Sequence, residues 1–241
     1  MVQGEITDAF WKAAEPLLPP KTRDPRRDYE RKPGRGRLRM EPRKVLEAIF
    51  YILRTGIQWK ALPKSMGSSS AVHRYFRFWC EAGFFQALWR TGLAAYEEAQ
   101  GIPWTWLIAD GCMSKAPLAR EAVGSNPTDR EKNGSKRPML VDGAGASLVV
   151  TGAKRHDVSP LEHMLDALVI AGWDSFACPR IWVLTQDMPG NKARRWVVEA
   201  AHSWINRFCT LLVRFEKRKS SYLGLLMFAC AFIAFRKADV I

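Results

Sequence analysis

The sequence predicts an α+β or α/β chain in which helices come first, strands follow, and helices close the molecule. Three observations predict it. Apolar residues recur at helical spacing through residues 7–18 and 42–101, short apolar runs bounded by Gly and Asp appear after residue 102, and two further helical patterns end the chain. At 241 residues the chain has the length for one large domain or two modest ones. Hydrophobic residues make up 47% and charged residues 25%, which excludes disorder throughout and a fibrous repeat. The expected divisions are an N-terminal helix at 1–20, a basic linker at 21–41, a helix-turn-helix-like region at 42–101 and an α/β region at 102–241, irregular over 165–190.

In residues 7–18, Phe10, Trp11, Ala14 and Leu17 share a helix face that Pro19-Pro20 terminates. Residues 21–44 hold eleven basic and four acidic side chains among Gly and Pro, a composition that buries little. This stretch reads either as a solvated loop or as an arm along phosphates. Pro42 suits the first turn of a helix whose apolar face is Val45, Leu46, Ile49, Phe50, Ile52 and Leu53, closed near Gly56. After a turn with Pro63 and Gly67, Ser68-Ser69-Ser70 offers N-caps for a helix carrying Val72, Tyr75, Phe76 and Trp79. Arg74 and Arg77 lie on its other side. A further helix covers residues 84–99. Helix, turn and short basic-aromatic helix suit a helix-turn-helix, a pattern that plain helical bundles share.

Past Gly101 the texture changes. Residues 104–109 read as a strand ending at Asp110, and residues 139–141 and 147–151 as a hairpin around Asp142-Gly143-Ala144-Gly145. A helix is expected at 162–171, no pattern is assignable over 173–190, a long basic helix spans 191–217, and an apolar helix spans 222–236.

Charge is the informative part of the composition. Lys plus Arg number 37 against 24 Asp plus Glu, a net +13 with pI near 9.8. That surplus selects a polyanionic partner, nucleic acid before an acidic membrane. The five cysteines are scattered without a CxxC, against a disulfide framework or a zinc knuckle. The first residues lack a signal-peptide pattern, and the apolar run at 222–235 is short for a membrane span. The expectation is a cytoplasmic protein with no membrane partner.

Two acids stand out. Asp110 at a strand end suits a metal ligand, though beside Gly111 it is more often a turn cap. Arg195, Glu199, His202 and Asn206 share a stripe of the long helix, as an exposed surface or as the wall of a catalytic groove. Between residues 192 and 219 eight basic residues face two acidic ones, so phosphate contact beside that stripe is expected. His156-Asp157 reads as a proton relay or a helix cap, and Asp142 as a hairpin-turn residue.

Asn126-Pro127-Thr128-Asp129-Arg130, Gly134-Ser135-Lys136-Arg137, Val141-Asp142-Gly143, Val150-Thr151-Gly152-Ala153 and Arg155-His156-Asp157-Val158 resemble the bacterial insertion-sequence transposases with an Asp-Asp-Glu active site. The front agrees through Tyr51-Ile52-Leu53-Arg54-Thr55-Gly56-Ile57-Gln58-Trp59 and Leu62-Pro63. The tail agrees through Arg194-Arg195-Trp196-Val197-Val198-Glu199, His202-Ser203-Trp204, Asn206-Arg207-Phe208 and Arg214-Phe215-Glu216-Lys217.

The resemblance implies a ribonuclease-H-like catalytic domain, Mg2+ or Mn2+, and cleavage and joining of DNA strands. It puts the first catalytic acid at Asp110 and the last at Glu199, both as metal ligands. Ile170 stands where the second Asp is expected; either Asp174 substitutes, or that ligand and its central strand are missing. The expected DNA contacts are Arg26, Arg27, Arg35, Arg37, Arg74, Arg77, Lys136, Arg137, Arg194 and Arg195. The implied partner is double-stranded DNA at terminal inverted repeats, bound by a homo-oligomer assembled on it. Two other readings stand beside this one: a catalytically inactive DNA-binding remnant, and a basic RNA-binding or structural protein, which the ten tryptophans and the pI permit without any RNA motif.

Overall fold

The computed structural model describes residues 6–20, 39–101, 106–126, 129–142, 147–148, 151–152, 180–183 and 192–241. Residues 21–38 of the linker and the helix expected at 162–171 lie outside them. The described chain mixes helices with a small, mostly antiparallel sheet.

Helix α1 (Asp8–Ala14) starts where the Thr7 hydroxyl accepts the Phe10 amide at 3.2 Å, and it tightens into a 3-10 turn at Glu15–Leu17 around Pro16. Helix α2 (Pro42–Thr55) begins on Pro42, whose missing N–H is harmless in a first turn, and ends on the left-handed Gly56. Two 3-10 turns, Trp59–Ala61 and Lys64–Met66, lead to α3 (Ser69–Glu81), and α4 (Phe84–Gln100) follows. These four helices fall where apolar spacing puts them.

The sheet is built from β1 (Trp106–Lys115), β2 (Gly124–Ser125), β3 (Asn133–Val141), β4 (Ser147–Leu148), β5 (Thr151–Gly152) and β6 (Arg180–Val183). Their order is β2-β3-β1-β6, with β4 and β5 also paired to β3. The expected hairpin is present, with Met139 opposite Leu148. Two expectations are corrected. Strand β1 does not stop at Asp110 but continues for five residues, because the antiparallel ladder to β3 runs on from Asp110↔Met139 to Lys115↔Gly134. And β6, in the stretch without an assignable pattern, pairs parallel with β1.

The long helix expected over 191–217 is also corrected. It divides into α5 (Lys192–Asn206) and a single turn, α6 (Cys209–Leu212), and the chain then extends so that Val213 bridges to Lys115. The sequence there contains no Gly or Pro to break a helix. The break is tertiary: the Phe208 ring enters the core edge-on to Phe50 and Phe232, and the Thr210 hydroxyl donates to the Ile52 carbonyl at 2.6 Å.

Helix α7 (Lys219–Lys237) is the centre of the core. By length and composition it could cross a membrane, yet 67% of its apolar window is buried inside the protein. Its Phe228, Phe232 and Phe235 surround Phe10 of α1, and Phe232 also meets Phe50 at 4.6 Å. Gly92 lets α4 lie close against it: a Cβ there would stand 3.2 Å from the Ala231 carbonyl oxygen and from the Phe235 ring.

Candidate active site

Residues directly opposite in an antiparallel pair point to the same face of the sheet. Asp110, Cys112 and Ser114 of β1 therefore share a face with Met139, Arg137 and Ser135 of β3. The chain from α5 to α7 covers that face. The Arg137 guanidinium donates to Asn206 Oδ1 at 2.9 Å, to the Leu211 carbonyl at 3.4 Å and to Cys112 Sγ at 3.5 Å. Further along, the buried Arg214 donates to Ser135 Oγ at 2.8 Å and to the Ala122 carbonyl at 3.2 Å, with its guanidinium 5.1 Å from the Tyr222 ring centre. The Arg214 amide bonds the Lys115 carbonyl at 2.8 Å.

These ties place the Asn206 end of α5 at the Cys112–Arg137 part of the face, and residues 213–214 beside Lys115. Glu199 is seven residues before Asn206, about 10 Å along the helix axis. Asp110 is two residues before Cys112, about 7 Å along the strand. Asp110 is half-buried, and its Oδ1 accepts the Gly111 amide at 2.7 Å, which holds the carboxylate against its own strand. Glu199 is exposed.

Of the expected stripe of Arg195, Glu199, His202 and Asn206, the last three do not form one surface. Glu199 faces solvent, whereas Asn206 engages Arg137 and His202 is buried at 8% exposure. Burial, with the nearby Arg137 cation second, lowers the His202 pKa to about 4, so the imidazole is neutral at pH 7. Arg137 was expected on DNA; at 2% exposure, with its guanidinium turned to Asn206 and Leu211, it braces α5 on the sheet instead. Reasoning from sequence missed Cys112, Arg214 and Tyr222 in this assembly, because nothing in the pattern marks an arginine as interior.

Residues 6–89 match the family described as "Putative transposase of IS4/5 family". The chain is 36% identical over 129 residues to the insertion element IS402 uncharacterized 16.2 kDa protein of Burkholderia cepacia, covering 53% of this chain and 84% of that protein. It is 30% identical over 154 residues to the putative transposase for insertion sequence element IS402 of the same organism, covering 50% of this chain and 73% of that one. The chain belongs to the insertion-sequence transposases. No solved structure matches it.

DNA is the partner that membership in this family implies. On the transposase, Arg74 of α3 is exposed, Arg77 pairs with Glu81 at 3.4 Å, and Lys136 is half-buried on β3. Arg194 and Arg195 belong to the first turns of α5, upstream of Glu199. Arg26, Arg27, Arg35, Arg37 and Asp174 lie outside the described residues. As donors, Asp110 and Glu199 offer the hard oxygens that Mg2+ and Mn2+ take. Among the described residues no group of three or more His, Cys, Asp or Glu side chains is gathered as a ready metal cage.

Proposed function

We propose that the transposase cuts and rejoins DNA strands at the ends of its element, with Asp110 and Glu199 holding a divalent cation at the scissile phosphate. One observation supports this reading: the Arg137 tie from Cys112 to Asn206 docks the end of α5, the helix that carries Glu199, on the sheet face that bears Asp110. The position of β1, between antiparallel β3 and parallel β6, supports a ribonuclease-H-like arrangement around the first acid. Asp174 is the proposed third acid.

In this reading each residue has a task. Strand β1 fixes the Asp110 backbone while the Gly111 amide orients its carboxylate. Helix α5 projects Glu199 from the opposite side. When bound, a divalent ion polarises the phosphoryl oxygen and lowers the pKa of a bound water. Arg194 and Arg195 bind flanking phosphates, with the positive end of the α5 dipole beside them. Arg74 and Arg77 on α3, and Arg26, Arg27, Arg35 and Arg37 on the linker, hold the duplex in a homo-oligomeric complex.

The test is Mg2+- or Mn2+-dependent nicking of a plasmid carrying the element ends. Asp110→Ala and Glu199→Ala are each expected to lower nicking by more than the roughly 10–100-fold that loss of an outer-shell partner costs. Binding of the ends, read by gel shift, is expected to persist. Unchanged nicking in either variant rejects that residue's role. Binding by the native chain without nicking in either metal assigns it to the inactive, DNA-binding reading.

A further inference from the structure

Beyond the C-terminal end of α5 lies a second cationic feature, separate from the two acids. A cavity of about 290 Å³ opens between the C-terminal ends of α2, α5 and α7, lined by Arg54, Arg207, Arg236 and Lys237 over Trp204 and Phe208. No acidic side chain lines it among the described residues. Lys237 Nζ stands 4.3 Å from the Trp204 ring centre, and the Arg54 guanidinium 5.5 Å from that of Phe208. The ion pairs among the described residues include none of Arg207, Arg236 and Lys237.

A plain reading is that each cation simply offsets a helix dipole. The magnitudes decide against it as a full account. Three helix C-termini supply roughly −0.5 each, about −1.5 together, against the three unit charges of Arg207, Arg236 and Lys237 alone, so an excess of about +1.5 stays concentrated in one concave site. Mutual repulsion of that size calls for an outside anion, and a concave site focuses the field that draws one in.

We infer that this cavity seats backbone phosphates of the same DNA duplex that reaches Asp110 and Glu199; the inference rests on the DNA reading above. Arg207 lies eight residues beyond Glu199, about 12 Å along the line of α5. At 3.4 Å per base-pair step that separation corresponds to about three to four base pairs, a span that one short duplex covers. An acidic protein segment would find the same charge, but membership among the insertion-sequence transposases makes DNA the polyanion at hand.

The test is the salt dependence of duplex binding by the full chain, followed by fluorescence anisotropy on a linear duplex. Arg207 and Arg236 are both exposed, so the double variant Arg207→Gln/Arg236→Gln keeps the fold, which a thermal melt checks. Loss of two phosphate contacts is expected to reduce the slope of log K against log salt by about 1.8. Arg207→Lys/Arg236→Lys is expected to keep the native slope. Lys12→Gln/Lys64→Gln, which removes the same charge from exposed positions elsewhere, is expected to change the slope by less than half as much. An unchanged slope in the first variant, or an equal loss in the Lys12/Lys64 control, overturns the site. So does an altered self-association with an unchanged slope, which would make a second protein the occupant. If the native chain binds no duplex, the DNA reading falls and takes this inference with it.

Discussion

Both ring nitrogens of His202 lack a hydrogen-bond partner among the described residues, and the Arg137 cation acts on the ring from nearby. A buried imidazole without partners resists protonation, which is why its pKa falls from 6.5 to about 4. The unfolded chain then takes up the proton first as pH drops below 6.5. Stability present above that pH is lost progressively down to about 4. Between about pH 7 and about pH 5 the loss from this residue amounts to about 2 kcal/mol. Urea unfolding of His202→Leu is expected to show that much less pH dependence than the native chain; parallel profiles would mean that His202 is solvated. The same residue marks how far sequence reaches at this scale. Asp110 and Glu199 stand out in the sequence as candidates because a carboxylate next to a strand or on a helix face offers metal-binding oxygen. The inward turn of His202, Arg137 and Arg214 was not legible, since residue type gives the charge and withholds the surroundings.

Helix boundaries in the front of the chain were legible because their signals are local: Pro42 at a first turn, Gly56 after the last apolar residue, Ser68 before the next face. Gly56 carries a second constraint that no local pattern contains. At φ +70° it needs the left-handed region, and a Cβ there would approach the Cys209 Cβ to 2.9 Å and the Cys209 carbonyl carbon to 3.1 Å. Gly56→Ala is therefore expected to cost about 2–3 kcal/mol, the left-handed penalty plus displacement of α6. The midpoint of a denaturant titration reads it, and a cost below about 1 kcal/mol would mean that α6 is free to move. That contact also explains why the long helix expected over 191–217 was wrong. Nothing in Asn206-Arg207-Phe208-Cys209 stops a helix; the chain stops there because α2 offers Phe208 a core site and Thr210 a carbonyl. The extension of β1 past Asp110 and the existence of β6 have the same origin, since partner strands far away in sequence stabilise residues whose own pattern is weak.

At the scale of the molecule, the change of texture near residue 102 suggests two units, while the packing shows a core that crosses that line. Helix α7 is buried against α4, and its phenylalanines interlock with Phe10, Phe50 and Phe85 of the front helices. The Trp59 indole donates to Glu216 at 2.9 Å, adding a polar tie between the same two parts. The burial of most of residues 222–235 was legible from their composition; the surface that buries them was not, because periodicity records that a face is apolar and never which other face it meets. A fragment ending at residue 101 would expose the α4 surface and the aromatic pocket that α7 fills. It is expected to give no cooperative thermal transition and to bind a hydrophobic dye, as chains without fixed tertiary packing do. Co-expression with residues 192–241 is expected to restore a cooperative melt. A sharp transition in the fragment alone would instead make the front helices an independently folding unit onto which α7 merely docks, and motion between that unit and the Asp110 face would then be available.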